Sequence, residues 1–293
     1  MQRRSFAAAG GILLLGGLTT GCAHSQGAGR KALFERKVRE IEAGTGGRLG
    51  VAIRDTASGA AYAHRGDERF PMCSTFKTLA AAFVLARVDQ GTEQLARAVA
   101  VQSSDLVPYA PVVQPRVGGT MTVAELCDAA VALSDNAAAN VLLRSFGGPA
   151  ALTSWLRGLG DGVTRLDRYE PFLNEVPPGD ARDTTSPRAM LQTLDNLVLG
   201  TALSPASRRQ LTEWLLGNKV GDTRLRAQLP AGWRVADKTG TGPNGTNNDA
   251  GVLFPPGRAP VLVAAYLTGS TVEPAARDRA LAEVGRLAAE LAS

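Results

Sequence analysis

Apolar residues recur at helical spacing in "KALFERKVREIEA", residues 31–43, at Leu33, Phe34, Val38 and Ile41, and this predicts a helix. The next stretch, "RLGVAIRDTASGAAYAHRG", changes period. Two β-rich runs flank a Ser58-Gly59 turn and read as a hairpin. The far end mirrors this. "WRVADKTGTG", "DAGVLFPPG" and "APVLVAAYLTG" read as three strands joined by Gly, Pro and Asn turns, and "EPAARDRALAEVGRLAAELA" is a long amphipathic closing helix. Between the two blocks, residues 71–217 are rich in Ala and Leu. Their spacing predicts helices over 75–88, 122–133, 136–146, 149–158, 187–199 and 205–216. Two strand blocks around a helical middle predict an α/β (α+β) chain. Residues 30–70 and 218–293 form an α/β lobe with a five-stranded antiparallel sheet flanked by helices, and 71–217 an inserted all-helical lobe. A cleft between the lobes is the expected place for a small-molecule site. One segment, "RYEPFLNEVPPGDARDTTSP" at 168–187, has no periodicity. Twenty irregular residues stiffened by four prolines predict a packed Ω-like loop with a function.

Composition narrows the class. The 293 residues are 44% apolar and 20% charged, ordinary for a globular chain long enough to bury a sizeable core. The formal charge is +5, and Arg3 and Arg4 supply two of those charges. Basic residues elsewhere are scattered, without runs or interleaved aromatics, which argues against a nucleic-acid partner. The first residues, "MQRRSFAAAGGILLLGGLTTGCAHSQ", have the layout of an export signal over 1–22. "RRSF" matches a twin-arginine signal, and "LTTGC" a lipobox in which Cys22 is lipidated and anchors the mature chain to a membrane. Cleavage near Ala23, releasing the protein into the periplasm or medium, is the alternative. Of the three cysteines, Cys73 and Cys127 can pair or stay free. The only histidines are His24 and His64, so no zinc cluster is expected, no cofactor is implied, and a Ser-His-Asp triad has His64 as its one serious candidate. No G-x-S-x-G motif occurs.

Three short motifs carry the chemistry. Ser74 and Lys77 form the one S-x-x-K and share a helix face. They fit a capping serine with a snorkelling lysine. They fit equally a nucleophile at a helix N-terminus, where the dipole favours developing negative charge. A free lysine has a pKa of about 10.4, so a base at this position needs burial or a nearby cation to lower it. Ser134-Asp135-Asn136 sits between two helical runs. Asp135 reads as a cap, while a tight turn lets Ser134 and Asn136 point into one cleft. Lys238-Thr239-Gly240 lies on the first C-terminal strand, where Lys238 offers charge to an anion and Gly240 permits close backbone approach.

Together S-x-x-K, S-D-N and K-T-G, separated by about 60 and about 100 residues, are far more specific than any one of them. The chain resembles the class A serine β-lactamases over essentially its whole length after the leader. "RYEPFLN" resembles the family's Glu-x-x-Leu-Asn loop, and "SDLVPYAPV" its cleft edge. The resemblance implies the serine β-lactamase and penicillin-binding-protein fold. It implies hydrolysis of penicillins and cephalosporins, and hence antibiotic resistance, by a monomer acting on a small molecule. Ser74 would attack the β-lactam carbonyl, with the backbone N–H groups of Ser74 and Thr241 as oxyanion hole. Ser134 would pass a proton to the leaving nitrogen, and Lys77 or Glu170 would be the acylation base. Glu170 and Asn174 would hold the deacylating water. Asn136 and Tyr109 would line the substrate, and Lys238, Thr239, Gly240 and Thr241 would bind it. Arg168 with Asp183 would close the Ω loop, and Glu170-Pro171 would be cis.

The chain departs from the family's patterns in places. Where some relatives carry a substrate-binding arginine on the strand beside K-T-G, this chain has Asn247. The arginine used by other relatives matches Arg224. The positions facing Cys127 and Cys73 in family disulfides are Ala81 and Gly242, so neither bridge can form, and the missing Cys73 bridge argues against strong carbapenem hydrolysis. Two other classes share parts of this pattern. A D,D-peptidase forms the same acyl-enzyme but lacks a deacylating base, and a non-catalytic cell-wall-binding lipoprotein has no need of Lys77 and Glu170.

Overall fold

The computed structural model describes residues 20–293, with side chains from residue 27 onward. Arg3, Arg4 and the Cys22 side chain therefore lie outside the described residues. The elements run α1 (Thr20–Thr45), β1 (Arg48–Asp55), β2 (Ala61–His64), β3 (Phe70–Pro71), α2 (Phe76–Asp89), β4 (Ala98–Ala100), β5 (Thr120–Thr122), α3 (Val123–Ala132), α4 (Asn136–Ser145) and α5 (Gly148–Gly158). They continue with β6 (Thr184–Thr185), α6 (Pro187–Leu194), α7 (Pro205–Leu216), β7 (Arg234–Gly242), β8 (Thr246–Phe254), β9 (Val261–Thr268) and α8 (Pro274–Ala292).

The five long strands form one antiparallel sheet in the order β2-β1-β9-β8-β7. The N- and C-terminal blocks meet where β1 pairs with β9, with Ile53 opposite Val263. Both faces of the centre are covered, which explains the near-continuous apolar runs. On β9, Val261, Val263, Ala265 and Leu267 face a core closed by α1 and α8, including Phe34, Val38, Leu281 and Val284. Leu262, Ala264 and Tyr266 face the opposite core, which continues through Phe76, Leu79 and the helices α2–α7. Side chains alternate across a strand, so one run feeds two cores.

Helix starts follow local chemistry. Thr122 and Glu125 form a capping box for α3, and Asp135 and Ser186 cap α4 and α6 through Ala138 N and Ala189 N. The expected helix 187–199 widens into a π-helical turn at Asp195–Leu199. It closes at Gly200, where a Cβ would lie 2.9 Å from Asn196 O. Strand β8 begins at Thr246, before the expected Asp249. Its polar start reads poorly as a strand, yet Asn248 Nδ2 donates to Pro71 O (2.8 Å) and Met72 O (3.1 Å), and Asn247 Nδ2 to Asp278 Oδ1 (2.8 Å). These bonds make burial of the amides tolerable. The irregular 168–187 segment ends in β6, which pairs with β3. Among the described residues, no helix is long and apolar enough to cross a membrane.

Candidate active site

Ser74 sits in a 3-10 turn, Cys73–Thr75, leading into α2. Cys73 holds φ 45°, a left-handed value that costs energy in a non-glycine residue. The turn is fastened from three sides. Thr75 Oγ1 donates to Met72 O (2.8 Å) and lies 3.1 Å from the buried Tyr266 hydroxyl of β9. Gly240 packs against it from β7, where a Cβ would come within 2.7 Å of Met72 O and 3.2 Å of Cys73 Cβ. Gly240 therefore faces the Ser74 turn. Ser74 makes no capping bond, and its Oγ instead accepts from Lys77 Nζ at 3.0 Å.

Lys77 does not snorkel, and its side chain is wholly buried. Besides Ser74 Oγ, its Nζ reaches Ser134 O (2.8 Å), Asn136 Oδ1 (2.5 Å) and Glu170 Oε1 (3.2 Å). Burial lowers its pKa, and the Glu170 carboxylate opposes that shift. Ser134 holds φ 58°, the tight turn that lets Ser134 and Asn136 face one space. Asp135 points away as the α4 cap, and its second oxygen accepts from Val112 N (2.8 Å) and Val113 N (3.0 Å). Those bonds, with Asn136 Nδ2 to Pro108 O (2.8 Å), bring the Tyr109 segment to the cleft edge. Tyr109 itself has φ 65° and a side chain 57% exposed.

On β7, Lys238 is buried and donates to Ser134 Oγ (3.1 Å) and Thr239 O (3.0 Å). Burial, then the neighbouring Lys77 charge, lowers its pKa to about 7. Arg224 threads through the end of the sheet. Its Nη1 donates to Gly240 O and Asn248 O, both 2.9 Å, and its Nη2 to Thr241 Oγ1 (2.7 Å). Its Nε donates to Asp278 Oδ1 of α8 (2.8 Å). Asp278 also takes Thr223 Oγ1 (2.8 Å), so one carboxylate gathers Thr223, Arg224 and Asn247.

Glu170 is buried after Tyr169 in the irregular loop, and its bond to Pro171 is cis. Asn174 Nδ2 donates to its Oε2 at 2.6 Å. Its Oε1 forms a 3.2 Å ion pair with Lys77 Nζ and has no further donor, and Asn174 Oδ1 has no hydrogen-bond partner. Asn140 pins the Glu170 backbone twice, accepting from Glu170 N and donating to Glu170 O, both at 2.9 Å. The loop closes through Asp183, which accepts from Arg168 Nε (2.6 Å), Asp167 N (2.7 Å) and Arg168 N (3.0 Å).

These groups meet at a cleft of 350 Å³. Ser74, Ser134, Asn136, Asn174, Tyr109, Arg224, Thr239 and Thr241 line it, with Lys77, Glu170 and Lys238 buried nearby. Three residues there were not singled out from the sequence. Val220 lines the wall, while Asn140 and Asp278 hold Glu170 and Arg224. Asn140 does follow Asn136 by one helical turn, the only sequence signal for it. His64 does not line the cleft and pairs with Glu42 of α1 at 3.0 Å, so the triad alternative has no geometry behind it. Cys73 and Cys127 are free and buried, and a Cβ on Gly242 would lie 2.7 Å from Cys73 Sγ.

Fold and site together have the form of a hydrolase cleft that gathers a serine, a buried lysine and a buried carboxylate. The profile of the β-lactamase enzyme family matches residues 33–292. A β-lactamase of Streptomyces albus G is 48% identical over 97% of this chain and 94% of its own length. The β-lactamase CTX-M-8 of Citrobacter amalonaticus is 47% identical over 86% of this chain and 87% of its own. A solved structure of an ancestral (GNCA) class A β-lactamase is 61% identical, covers 89% of this chain and 99% of its own, and superposes with a TM-score of 0.85. The chain belongs to the class A β-lactamase family.

Proposed function

We propose that this enzyme hydrolyses the β-lactam amide of penicillins and cephalosporins through an acyl-enzyme on Ser74, and so confers antibiotic resistance. The observation that carries the reading is the placement of Ser74 Oγ, 3.0 Å from Lys77 Nζ, with Lys77 in turn 3.2 Å from Glu170. Ser74 attacks the carbonyl as its proton passes toward Lys77 or Glu170, and the Ser74 and Thr241 N–H groups receive the oxyanion. Ser134, 3.1 Å from Lys238 Nζ, delivers a proton to the departing nitrogen as the C–N bond breaks. Arg224, Lys238, Thr239 and Thr241 hold the substrate carboxylate.

Glu170 and Asn174 then activate the water that cleaves the ester. Glu170 Oε1, beyond its ion pair with Lys77, and Asn174 Oδ1 are buried acceptors with no hydrogen-bond donor, and they support a hydrogen-bonding guest there. That pair is also what a D,D-peptidase has no use for. Outside the cleft, we infer export on the leader and membrane attachment through lipidated Cys22, supported by the "LTTGC" stretch. Purified protein should turn over nitrocefin, and Ser74→Ala should abolish turnover and any covalent penicillin adduct. A penicilloyl adduct on the alanine variant would sink the assignment of the nucleophile.

A further inference from the structure

The rim segment from Gln102 to Tyr109 has few ties to the rest of the fold. Val101, just before it, exchanges backbone bonds with Gly118 and Gly119, and at its far end Asn136 of α4 donates to the carbonyls of Pro108 and Tyr109. All of the segment's residues except Asp105 and Val107 are exposed. Its internal bonds are local. Asp105 Oδ2 accepts from Gln102 N (2.8 Å), and Leu106 N donates to Ser103 O (3.2 Å). Among the described residues, one polar contact joins residues 102–107 to another element, and it runs from Arg144 Nη2 to Asp105 Oδ1.

Arg144 lies in the last turn of α4, where the helix C-terminus favours a cation. Asn136, Asn140 and Arg144 follow one another at intervals of four and so share one face of the helix. The first two serve the cleft. Asn136 contacts Lys77 and the rim, and Asn140 grips the Glu170 backbone. Arg144, about 12 Å further along the helix axis than Asn136, takes hold of the rim a second time. One rigid helix therefore fixes the segment at two points. Tyr109 needs this support, because its φ of 65° is a left-handed value that costs energy in a non-glycine residue.

We propose that Arg144 is a positioning residue for substrate binding. Through Asp105 it fixes the 102–109 rim, and the rim in turn places Tyr109 at the cleft edge. The inference rests on the substrate-lining role given above to Tyr109. Arg144 itself does not line the cleft, so its loss acts on binding and leaves the chemical steps alone. The Arg144 side chain is 45% exposed and that of Asp105 15%, so the pair is a partly screened contact of modest strength.

The test uses the full chain. Arg144→Gln should raise KM for benzylpenicillin about two- to fivefold, the range for exposed ion pairs, with kcat unchanged. Arg144→Lys should restore most of the loss. Asp105→Asn keeps an acceptor for Gln102 N and should raise KM to the same extent. Arg144→Gln should add nothing on top of it, because both substitutions remove one interaction. The gap between wild type and Arg144→Gln should narrow in about 1 M NaCl, where charges are screened beyond roughly 3 Å. Amide hydrogen exchange should quicken over residues 102–109 in Arg144→Gln and stay as in the wild type over 168–187. An unchanged KM, additive effects of the two substitutions, a gap that persists in high salt, or unchanged exchange over 102–109 each overturns the proposal. If the wild type hydrolyses no β-lactam, the functional reading fails, while the exchange measurement still tests whether Arg144 holds the rim.

Discussion

Removing the Glu170 carboxylate tests the deacylation half of the mechanism. In Glu170→Ala the Oε2 contact to Asn174 Nδ2 (2.6 Å) and the 3.2 Å ion pair to Lys77 both vanish. The loop itself should hold, because Asn140 grips the backbone N–H and C=O of residue 170 and Asp183 clamps Arg168. Lys77 loses the carboxylate that opposes its burial, so its pKa falls further and more of it is a free amine. A free amine at 3.0 Å from Ser74 Oγ can accept the serine proton, so acylation is expected to survive. Deacylation is not. General-base assistance is worth about 10²–10⁴-fold, or roughly 3–5 kcal/mol at 1.36 kcal/mol per decade. Ester hydrolysis then becomes rate-limiting. Intact-mass measurement after mixing with benzylpenicillin should show one added penicillin per chain, persisting for minutes or longer. Glu170→Gln keeps the shape and a partner for Asn174 and should stall in the same way, which separates loss of the base from loss of packing. Near-normal turnover by either variant would refute the role of Glu170. Absence of any adduct would show that Glu170 is also needed for acylation.

Arg224→Ala removes a charge-assisted contact worth roughly 1.5–3 kcal/mol, so kcat/KM for carboxylate-bearing penicillins should fall about tenfold to a hundredfold; an unchanged value would assign the carboxylate to another cation. Asn140→Ala breaks two buried hydrogen bonds at 2.9 Å to the Glu170 backbone. It should cost about 2–4 kcal/mol in urea unfolding and slow deacylation more than acylation in single-turnover kinetics, whereas equal slowing of both steps would mean that Asn140 does not act through Glu170. Cys22→Ala should move activity from the membrane fraction to the soluble one, and unchanged fractionation would mean that the enzyme is released without a lipid.

Much of the sheet, most helices and the three motifs were legible because each depends on local chemistry. Strand period, capping by Asp135, and the positions of Gly and Pro all act within a few residues. The near-continuous apolar run of β9 reflects burial on both faces, but the pairing of β1 with β9 joins residues more than two hundred positions apart, and no local signal encodes it. The polar opening of β8 was misread for the same reason. Asn248 is stable in a strand because Pro71 and Met72, far away in sequence, offer carbonyls to its amide. The motifs likewise named Ser74, Lys77 and Lys238 without distinguishing a cap from a nucleophile or a surface lysine from a buried one. That distinction is a matter of solvent and of distance. Folding strips water from both lysines and brings Glu170, Ser134 and Asn136 around Lys77, so the charge state of each amine is set by neighbours that the chain delivers from separate elements. Asn140 and Asp278 were invisible for that reason. Their side chains are ordinary in sequence and acquire their roles only when tertiary contacts set them against Glu170 and Arg224.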